Sequence, residues 1–127
     1  MSIALLGAIA LGGALGSVAR YVTAALVVQA TGSGFPWGTL AVNVIGGFLI
    51  GIVAELMASR WSVTAELRGF LITGILGGFT TFSAFSLEVV AMIERQSFAP
   101  ASAYIVGSVL LSLGATFIGF WTIRGLA

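Results

Sequence analysis

Long uncharged, apolar stretches dominate the chain, and its few charged residues fall between them. Four such stretches cover residues 1–19, 21–54, 69–87 and 96–123. A helix that spans a bilayer needs about 20 predominantly apolar residues, so each stretch spans or nearly spans the hydrocarbon core. The turn-forming run Thr31-Gly32-Ser33-Gly34-Phe35-Pro36 divides the second stretch, because its irregular backbone would lack hydrogen-bond partners in lipid.

The pattern therefore predicts an all-α integral membrane protein with four transmembrane helices in one domain. We place the helices near residues 3–29, 37–59, 66–95 and 101–124 of the 127-residue domain, with Pro100 in the last connection. The tryptophans fall near predicted helix ends, where amphipathic rings favour the headgroup region: Trp37, Trp61 and Trp121. The first apolar run is a helix and not a cleavable signal, since no Lys or Arg precedes it.

The third predicted helix is too long to be continuous. Residues 66–95 would form a helix of about 45 Å, against a hydrocarbon core of about 30 Å. Its middle contains Gly77-Gly78 followed by Phe79-Thr80-Thr81, which are poor helix formers, and we predict a break near residues 77–80. Backbone carbonyls freed at membrane depth would suit a hard cation such as Na⁺. A glycine kink that serves packing alone is the alternative.

Composition narrows the function classes further. Hydrophobic residues make up 59% of the chain and charged residues 7%, and the charges are five arginines and four glutamates. A soluble globular domain, in which about a quarter of the residues are charged, is excluded. The absence of His, Cys, Asp and Lys removes the usual metal ligands and the commonest general bases and nucleophiles. We therefore expect neither a metal enzyme nor catalysis of another kind.

The arginines give a weak orientation signal. Four helices place Arg60, Arg68 and Arg124 on one side of the membrane, and Arg95 on the other, with Arg20 if it reaches that surface. This difference is small under the positive-inside rule. Either it carries no meaning in so short a chain, or the protein inserts in both orientations and pairs with an inverted copy.

Glycine is abundant, with 18 residues, about twice the usual share. Each of the first three predicted helices contains one GxxxG spacing: Gly12 and Gly16, Gly47 and Gly51, Gly74 and Gly78. Small residues at this spacing let helix backbones approach closely, so we predict a compact bundle. Four closely packed helices are too few to line a pore as well, and an oligomer is expected.

Asn43 and two phenylalanines are the first candidates for handling an ion. Asn43 is the single Asn of the chain, and its amide must find partners on other helices or line a wet path. Its NH₂ group can donate to an anion. Phe82 and Phe85 lie three residues apart on one helix face, and their positive ring edges can face an anion. Packing in the core or against lipid is the alternative for the rings.

Hydroxyl groups form a second set of candidates. A strip along one face of the fourth helix recurs every four residues: Tyr104, Ser108, Ser112 and Thr116. The alternative for each of them is a hydrogen bond back to its own helix. Further hydroxyls accompany the two phenylalanines: Thr81, Ser83 and Ser86.

Three of the charged residues in the predicted spans are candidates for a functional role. Arg20 lies in the last third of the first span, where it either snorkels to the interface or faces a vestibule and raises the local anion concentration. Glu55 and Glu88 stand toward helix ends as the candidate buried acids. A solvated or salt-bridged role suits both, and a proton-coupled role stays open.

Two runs in the chain contain motifs that identify a family. One is Gly77-Gly78-Phe79-Thr80-Thr81-Phe82-Ser83-Ala84-Phe85-Ser86 followed by Glu88, and the other is Pro36-Trp37-Gly38-Thr39-Leu40 with Asn43 ahead of Gly46-Gly47. With these motifs, four spans and a broken third helix, the chain closely resembles the bacterial fluoride channel family (Fluc, also called CrcB). The resemblance covers essentially the whole sequence.

The resemblance implies an antiparallel, dual-topology homodimer in the bacterial inner membrane, with two fluoride pores, a central structural Na⁺ and passive export of cytoplasmic fluoride. Backbone carbonyls of Gly77 and Thr80, repeated in the second copy, would hold the Na⁺, and Arg20 would lie by a vestibule. The implied fluoride pathway contains Asn43, Phe82, Phe85, Ser83, Tyr104, Ser108, Ser112 and Thr116, with Glu88 and Thr81 as further candidates.

Two other function classes stay open from the residues alone. A small proton-coupled multidrug exporter is also four-spanning and dual-topology, but such exporters resemble one another in an acid in the first helix, where this chain has Arg20. A non-transporting membrane scaffold would use Asn43 and the hydroxyl strip only to hold its helices together.

Overall fold

Four long helical spans make up the computed structural model, which describes residues 1–126. They are α1 (Ile3–Thr31), α2 (Trp37–Ser59), the third span (Ala65–Glu94) and α6 (Phe98–Gly125). Each is long and apolar enough to cross a bilayer. The prediction of an all-α protein with four transmembrane helices is confirmed.

The third span consists of several helical pieces. α3 (Ala65–Arg68) continues into a π-helical segment (Gly69–Leu76) and then into α4 (Gly77–Phe79), and α5 (Phe82–Glu94) follows after Thr80 and Thr81. Both threonines have extended backbones. The predicted break in this helix is confirmed, but it lies at the two threonines and not at the glycines before them. Adjacent β-branched residues favour extended backbone, whereas the glycines here stay helical.

The last helix begins earlier than the sequence predicted. α6 starts at Phe98, so Pro100 lies in its first turn and not in the connection before it. Amides of the first helical turn have no partner within the helix, so the missing N–H of Pro100 costs α6 no hydrogen bond. Gln96, with a φ of 60°, forms the tight turn between α5 and α6.

The spans pack as two pairs. α1 lies against the π-helical segment, and α2 lies against α6. In the first pair Gly12 and Gly16 approach Gly74 and Ile75 so closely that an added Cβ would collide with main-chain atoms. Residue numbers rise together along both partners, so the helices of this pair run parallel.

The second pair is built in the same way. Gly47 and Gly51 face the backbone of Ser112 and Thr116, and Gly119 faces the carbonyl of Phe48. The residue numbers of the contacting positions increase together along both helices, so α2 and α6 run parallel. The GxxxG glycines of the sequence therefore bring helix backbones together inside one chain.

The break lets the third span change its neighbours. The π-helical segment packs on α1, whereas α5 packs against α6 and α2. A buried cluster fills the space between α2, α5 and α6: Leu40, Phe85, Met92, Ala101 and Tyr104. The outward faces of the bundle are apolar and exposed, for example at Leu11, Leu15, Leu110 and Leu113. Such faces contact lipid or a second chain in a membrane protein.

Candidate ion pathway

Asn43 holds the break in the third span. Its Oδ1 accepts a hydrogen bond from the Thr81 amide at 2.7 Å, and its Nδ2 donates to the Thr81 carbonyl at 3.0 Å. The side chain thus supplies both partners that a continuous helix would have given to Thr81. Thr81 is buried, and its Oγ1 accepts from the Ala84 amide at 3.1 Å, which caps α5. An NH₂ group has two donors, so a second N–H of Asn43 remains for another acceptor.

These hydrogen bonds divert the amides that would otherwise pair with two carbonyls. In a continuous α-helix, Gly77 would accept from the Thr81 amide and Thr80 from the Ala84 amide. Here the first amide donates to Asn43, and the second donates to the Thr81 hydroxyl. Gly77 is exposed and Thr80 is partly exposed. Both carbonyls have therefore lost their helical donors beside an open face of the chain.

A cation at this face would depend on backbone oxygens. Within residues 1–126 no three His, Cys, Asp or Glu side chains come together in a group that could hold a metal ion. Carbonyl oxygens are suitable ligands for hard cations, which bind oxygen in preference to nitrogen or sulfur. The chemistry of the break therefore fits an alkali cation better than a transition metal.

A cavity of about 370 Å³ opens beside the break. Its polar lining comes from Asn43, Thr80, Thr81, Ser108 and Ser112, and its apolar lining includes Phe82, Phe85, Ile50, Val109 and Leu113. Among the described residues, none that lines this cavity carries a charge. An ion inside it would meet only amides, hydroxyls, backbone groups and apolar side chains.

Ser108 and Ser112 have the least usual surroundings in this cavity. Their hydroxyl oxygens are buried, and neither has a hydrogen-bond partner in the part of the chain that the structure describes. Leaving a buried hydroxyl unpaired costs about 1–3 kcal/mol, so such groups are uncommon in proteins. Both line the cavity, one turn apart on α6. They are available as donors to a ligand in the cavity.

Phe82 and Phe85 form one wall of the same cavity. Their ring centroids lie 5.4 Å apart, with the ring planes inclined at 46°. The two rings differ in burial, since Phe85 is 9% exposed and Phe82 is 79% exposed. Phe82 therefore projects from the surface of the single chain.

Three of the predicted residues that do not line this cavity are Thr116, Ser83 and Arg20. Thr116 donates to the Ser112 carbonyl at 3.0 Å, which is the local bond that the sequence left open as an alternative. The Ser83 and Thr81 hydroxyl oxygens lie 3.3 Å apart, and Ser83 is exposed. Arg20 is partly exposed on α1, a helix that contributes no residue to the cavity.

Glu88 joins three helices. It accepts a hydrogen bond from the Thr39 hydroxyl of α2 at 2.6 Å and another from the Tyr104 hydroxyl of α6 at 2.6 Å. Tyr104 is fully buried, so its hydroxyl proton is committed to the carboxylate. Sequence reasoning missed Thr39, although its position four residues before Asn43 places both on one face of α2. Glu55, the other candidate acid, pairs with Arg124 at 3.1 Å. This ion pair lies near the C-terminal ends of α2 and α6, away from the end that contains Glu88.

Comparison with known proteins gives a consistent result. Residues 7–120 match the sequence model of a family described as CrcB-like protein, camphor resistance (CrcB). The chain is 52% identical over 119 residues to the fluoride-specific ion channel FluC of Rhizobium etli (strain CIAT 652), covering 94% of this chain and 95% of that protein. It is 53% identical over 117 residues to the fluoride-specific ion channel FluC of Nitrobacter winogradskyi, covering 92% and 93% of the two chains.

Proposed function

The chain belongs to the CrcB/FluC family of fluoride-specific ion channels, and we propose that the cavity beside its broken third span is part of the fluoride pathway. As a member of this family, the chain is a multi-pass membrane channel and not an enzyme. This membership decides against the proton-coupled exporter and the inert scaffold. Passive export of cytoplasmic fluoride across a bacterial inner membrane is the role we propose for it.

The single observation that supports this pathway best is the pair of buried hydroxyls at Ser108 and Ser112, which have no hydrogen-bond partner among residues 1–126. Fluoride is small and strongly hydrated, so a pathway must replace its water with several donors. The two hydroxyls and the second N–H of Asn43 are such donors, in a cavity whose described lining residues carry no charge. Without a fixed cation to trap the ion, each site binds weakly enough for fluoride to leave again.

The phenylalanine wall adds a second kind of contact. The edge of an aromatic ring carries partial positive charge, and it can approach a small anion without a hydrogen bond. The ring planes of Phe82 and Phe85 are inclined at 46°. Neither ring therefore lies flat against the other, and their edges can face an ion. A narrow passage between rings and hydroxyls would favour fluoride over the larger chloride by size.

The remaining predicted residues have supporting places in this proposal. The hydroxyls of Tyr104, Thr116 and Ser83 already have hydrogen-bond partners within the chain. We therefore propose that these residues lie beside the pathway and do not contact the ion directly. Thr81 contributes mainly through its backbone, which Asn43 fixes. Arg20 would act at a distance, by attracting anions toward a vestibule.

The pathway is incomplete in one chain, and we propose an antiparallel homodimer with two pores. Phe82 is 79% exposed and would project into a second copy, where an apolar wall would cover it. The weak arginine bias of the sequence suits insertion in both orientations. Assembly of this kind would also cover exposed apolar faces of the bundle.

A structural Na⁺ at the dimer centre is a further part of the proposal. The Gly77 and Thr80 carbonyls lack their helical donors and lie at an exposed face, so two copies would supply four carbonyl oxygens. When bound, Na⁺ would stabilise the two breaks and hold the copies together. Purification with K⁺ or N-methylglucamine in place of Na⁺ should lower the dimer fraction in detergent, and an unchanged dimer would count against this site.

The test of the proposed function is fluoride flux from liposomes. Purified protein is reconstituted, the vesicles are loaded with fluoride, and the efflux is followed with a fluoride electrode. Fluoride should leave rapidly, and vesicles loaded with chloride should retain it. The Phe82→Ile variant should keep the dimer but slow the efflux, because its side chain has no ring edge. Absence of fluoride efflux from well-folded wild-type dimer would overturn the proposal.

A further inference from the structure

A second cavity, of about 250 Å³, lies at the end of the bundle where the α1–α2 connection meets the last turns of α5. Its lining includes Phe35 from the connection and Glu88 and Arg95 from α5. Arg95 is exposed at the C-terminal end of that helix. Within residues 1–126 no carboxylate forms an ion pair with it. An unpaired cation therefore stands at the rim of a cavity that contains a carboxylate.

A row of aromatic rings connects this second cavity with the first one. Phe85, which lines the first cavity, lies 5.1 Å from Tyr104 between ring centroids. Tyr104 in turn meets Phe35 at 5.4 Å with an interplanar angle of 77°, an edge-on contact. Phe35 lines the second cavity. The hydroxyl strip of α6 follows the same direction from Ser112 through Ser108 to Tyr104, so packed aromatic rings and hydroxyls are aligned between the two cavities.

The negative charge of Glu88 alone would repel an anion at this end of the bundle. Its two carboxylate oxygens accept hydrogen bonds from Thr39 and Tyr104, so they are turned toward α2 and α6. Arg95 follows Glu88 by seven residues, which places both on the same face of α5 about 10 Å apart along its axis. Together the two side chains give the cavity a formal charge near zero, whereas without the arginine its charge would be negative.

We propose that the second cavity is a mouth of the fluoride pathway and that Arg95 concentrates fluoride there by offsetting the charge of Glu88. This inference rests on the proposed function, since it concerns how fluoride reaches the first cavity. Arg95 acts through its field at the entrance and takes no part in selecting the ion. It should therefore affect the rate of conduction and leave the exclusion of chloride unchanged.

Ionic strength provides the first test. Single-channel fluoride currents are measured in planar bilayers for the wild type, Arg95→Gln, Arg95→Lys and the matched control Arg68→Gln, which removes an exposed arginine that lines neither cavity. The Arg95→Gln current should fall roughly tenfold at about 10 mM ionic strength, where the Debye length is about 30 Å. The loss should shrink below about twofold at 1 M, where the Debye length is about 3 Å. Arg95→Lys and Arg68→Gln should match the wild type.

The absence of cysteine from the sequence allows a second test on a single protein preparation. Arg95→Cys and the control Arg68→Cys are treated in detergent, before reconstitution, with methanethiosulfonates that attach either a trimethylammonium or a sulfonate group. The cationic adduct at position 95 should restore the current at low ionic strength, and the anionic adduct should lower it further. Neither adduct should change the current at position 68.

The outcomes separate this inference from the proposed function. If the wild type conducts no fluoride, both the proposed function and the inference about the second cavity are wrong. If the wild type conducts but the sign of the charge at position 95 has no more effect than at position 68, the pathway stands and the second cavity is not its mouth. A change in chloride exclusion by Arg95→Gln would also overturn the inference, because it would make this arginine part of the selective region.

Discussion

The two parallel helix pairs of this chain both pack through glycines, but only the second pair is also joined by polar side chains in the described residues. α1 and the π-helical segment meet through their backbones at glycines, and no side-chain hydrogen bond joins these two elements in the described chain. α2, α5 and α6 also pack closely, and polar side chains cross between them: Asn43 with Thr81, Glu88 with Thr39 and Tyr104, and Glu55 with Arg124. A polar side chain is costly in a bilayer, so its position marks where function needs it. We interpret the first pair as a scaffold and propose that the second set of helices handles the ion.

The largest expected effect tests the scaffold. In Gly16→Ala the added Cβ would collide with the Ile75 carbonyl, and we expect a loss of about 3 kcal/mol in the free energy of unfolding. Gly7→Ala on the same helix is the control, because a Cβ there has nothing within 4 Å. Thermal unfolding in detergent, followed by tryptophan fluorescence, measures both. Equal stability of the two variants would contradict backbone packing as the basis of this pair.

The next effect concerns the contact that fixes the break. Asn43→Ala leaves both the amide and the carbonyl of Thr81 without these partners, which should cost about 2–3 kcal/mol. The exchange of the Thr81 amide with D₂O should also become faster. Ser86→Ala is the control, since its hydroxyl bonds only to the Phe82 carbonyl of its own helix. If Asn43→Ala reduces conduction with no change in exchange at Thr81, Asn43 serves the ion and does not hold the break.

A smaller effect separates ion handling from stability. Ser108→Ala and Ser112→Ala remove buried hydroxyls that have no partner among residues 1–126, so the free energy of unfolding should not fall and should rise by up to about 1 kcal/mol. The fluoride current should nevertheless fall about fivefold in each, because one donor to the ion, worth about 1 kcal/mol, is lost. Thr116→Val removes a hydroxyl that is already bonded to Ser112, and it should conduct like the wild type. Equal currents in all three variants would contradict a donor role for the two serines.

The smallest effect is expected at the far end of α2 and α6. Arg124 is 60% exposed, but the Glu55 side chain with which it pairs at 3.1 Å is only 11% exposed, so Arg124→Gln should cost about 1 kcal/mol and leave the current unchanged. Thermal unfolding at low and high salt measures the cost, which should be smaller at high salt. A large loss of conduction in this variant would extend the ion-handling region to this end of the bundle.

The spans were predictable because their signal is carried by long runs of residues. Charge spacing and the length of residues 66–95 were enough to predict four helices and an interruption. The exact place of the break was not, because glycine pairs and adjacent threonines both favour it, and the choice depends on Asn43 in another helix. Pro100 was misplaced for a related reason: proline breaks a helix interior but is tolerated in a first turn.

The hydroxyl strip shows where sequence reasoning about the site reaches its limit. Spacing placed Tyr104, Ser108, Ser112 and Thr116 on one helix face, but it could not tell which hydroxyls would find partners. That depends on Glu88 for Tyr104 and on the helix backbone for Thr116. Thr39 gave only a weak signal, its spacing from Asn43, because the role of a single hydroxyl in an apolar helix depends on an acceptor in another helix.

The parallel pairing of the helices has a consequence for how the chain is made. α1 finds its partner in residues 69–76 and α2 finds its partner in residues 98–125, so neither pair is a hairpin of consecutive spans. During synthesis the glycine surface of α2 therefore stays in contact with lipid until the last helix has entered the bilayer. Such late, non-local contacts slow folding and prolong the exposure of unfinished surfaces. A chain truncated after residue 95 should consequently be inserted but degraded quickly, which a pulse-chase measurement would register.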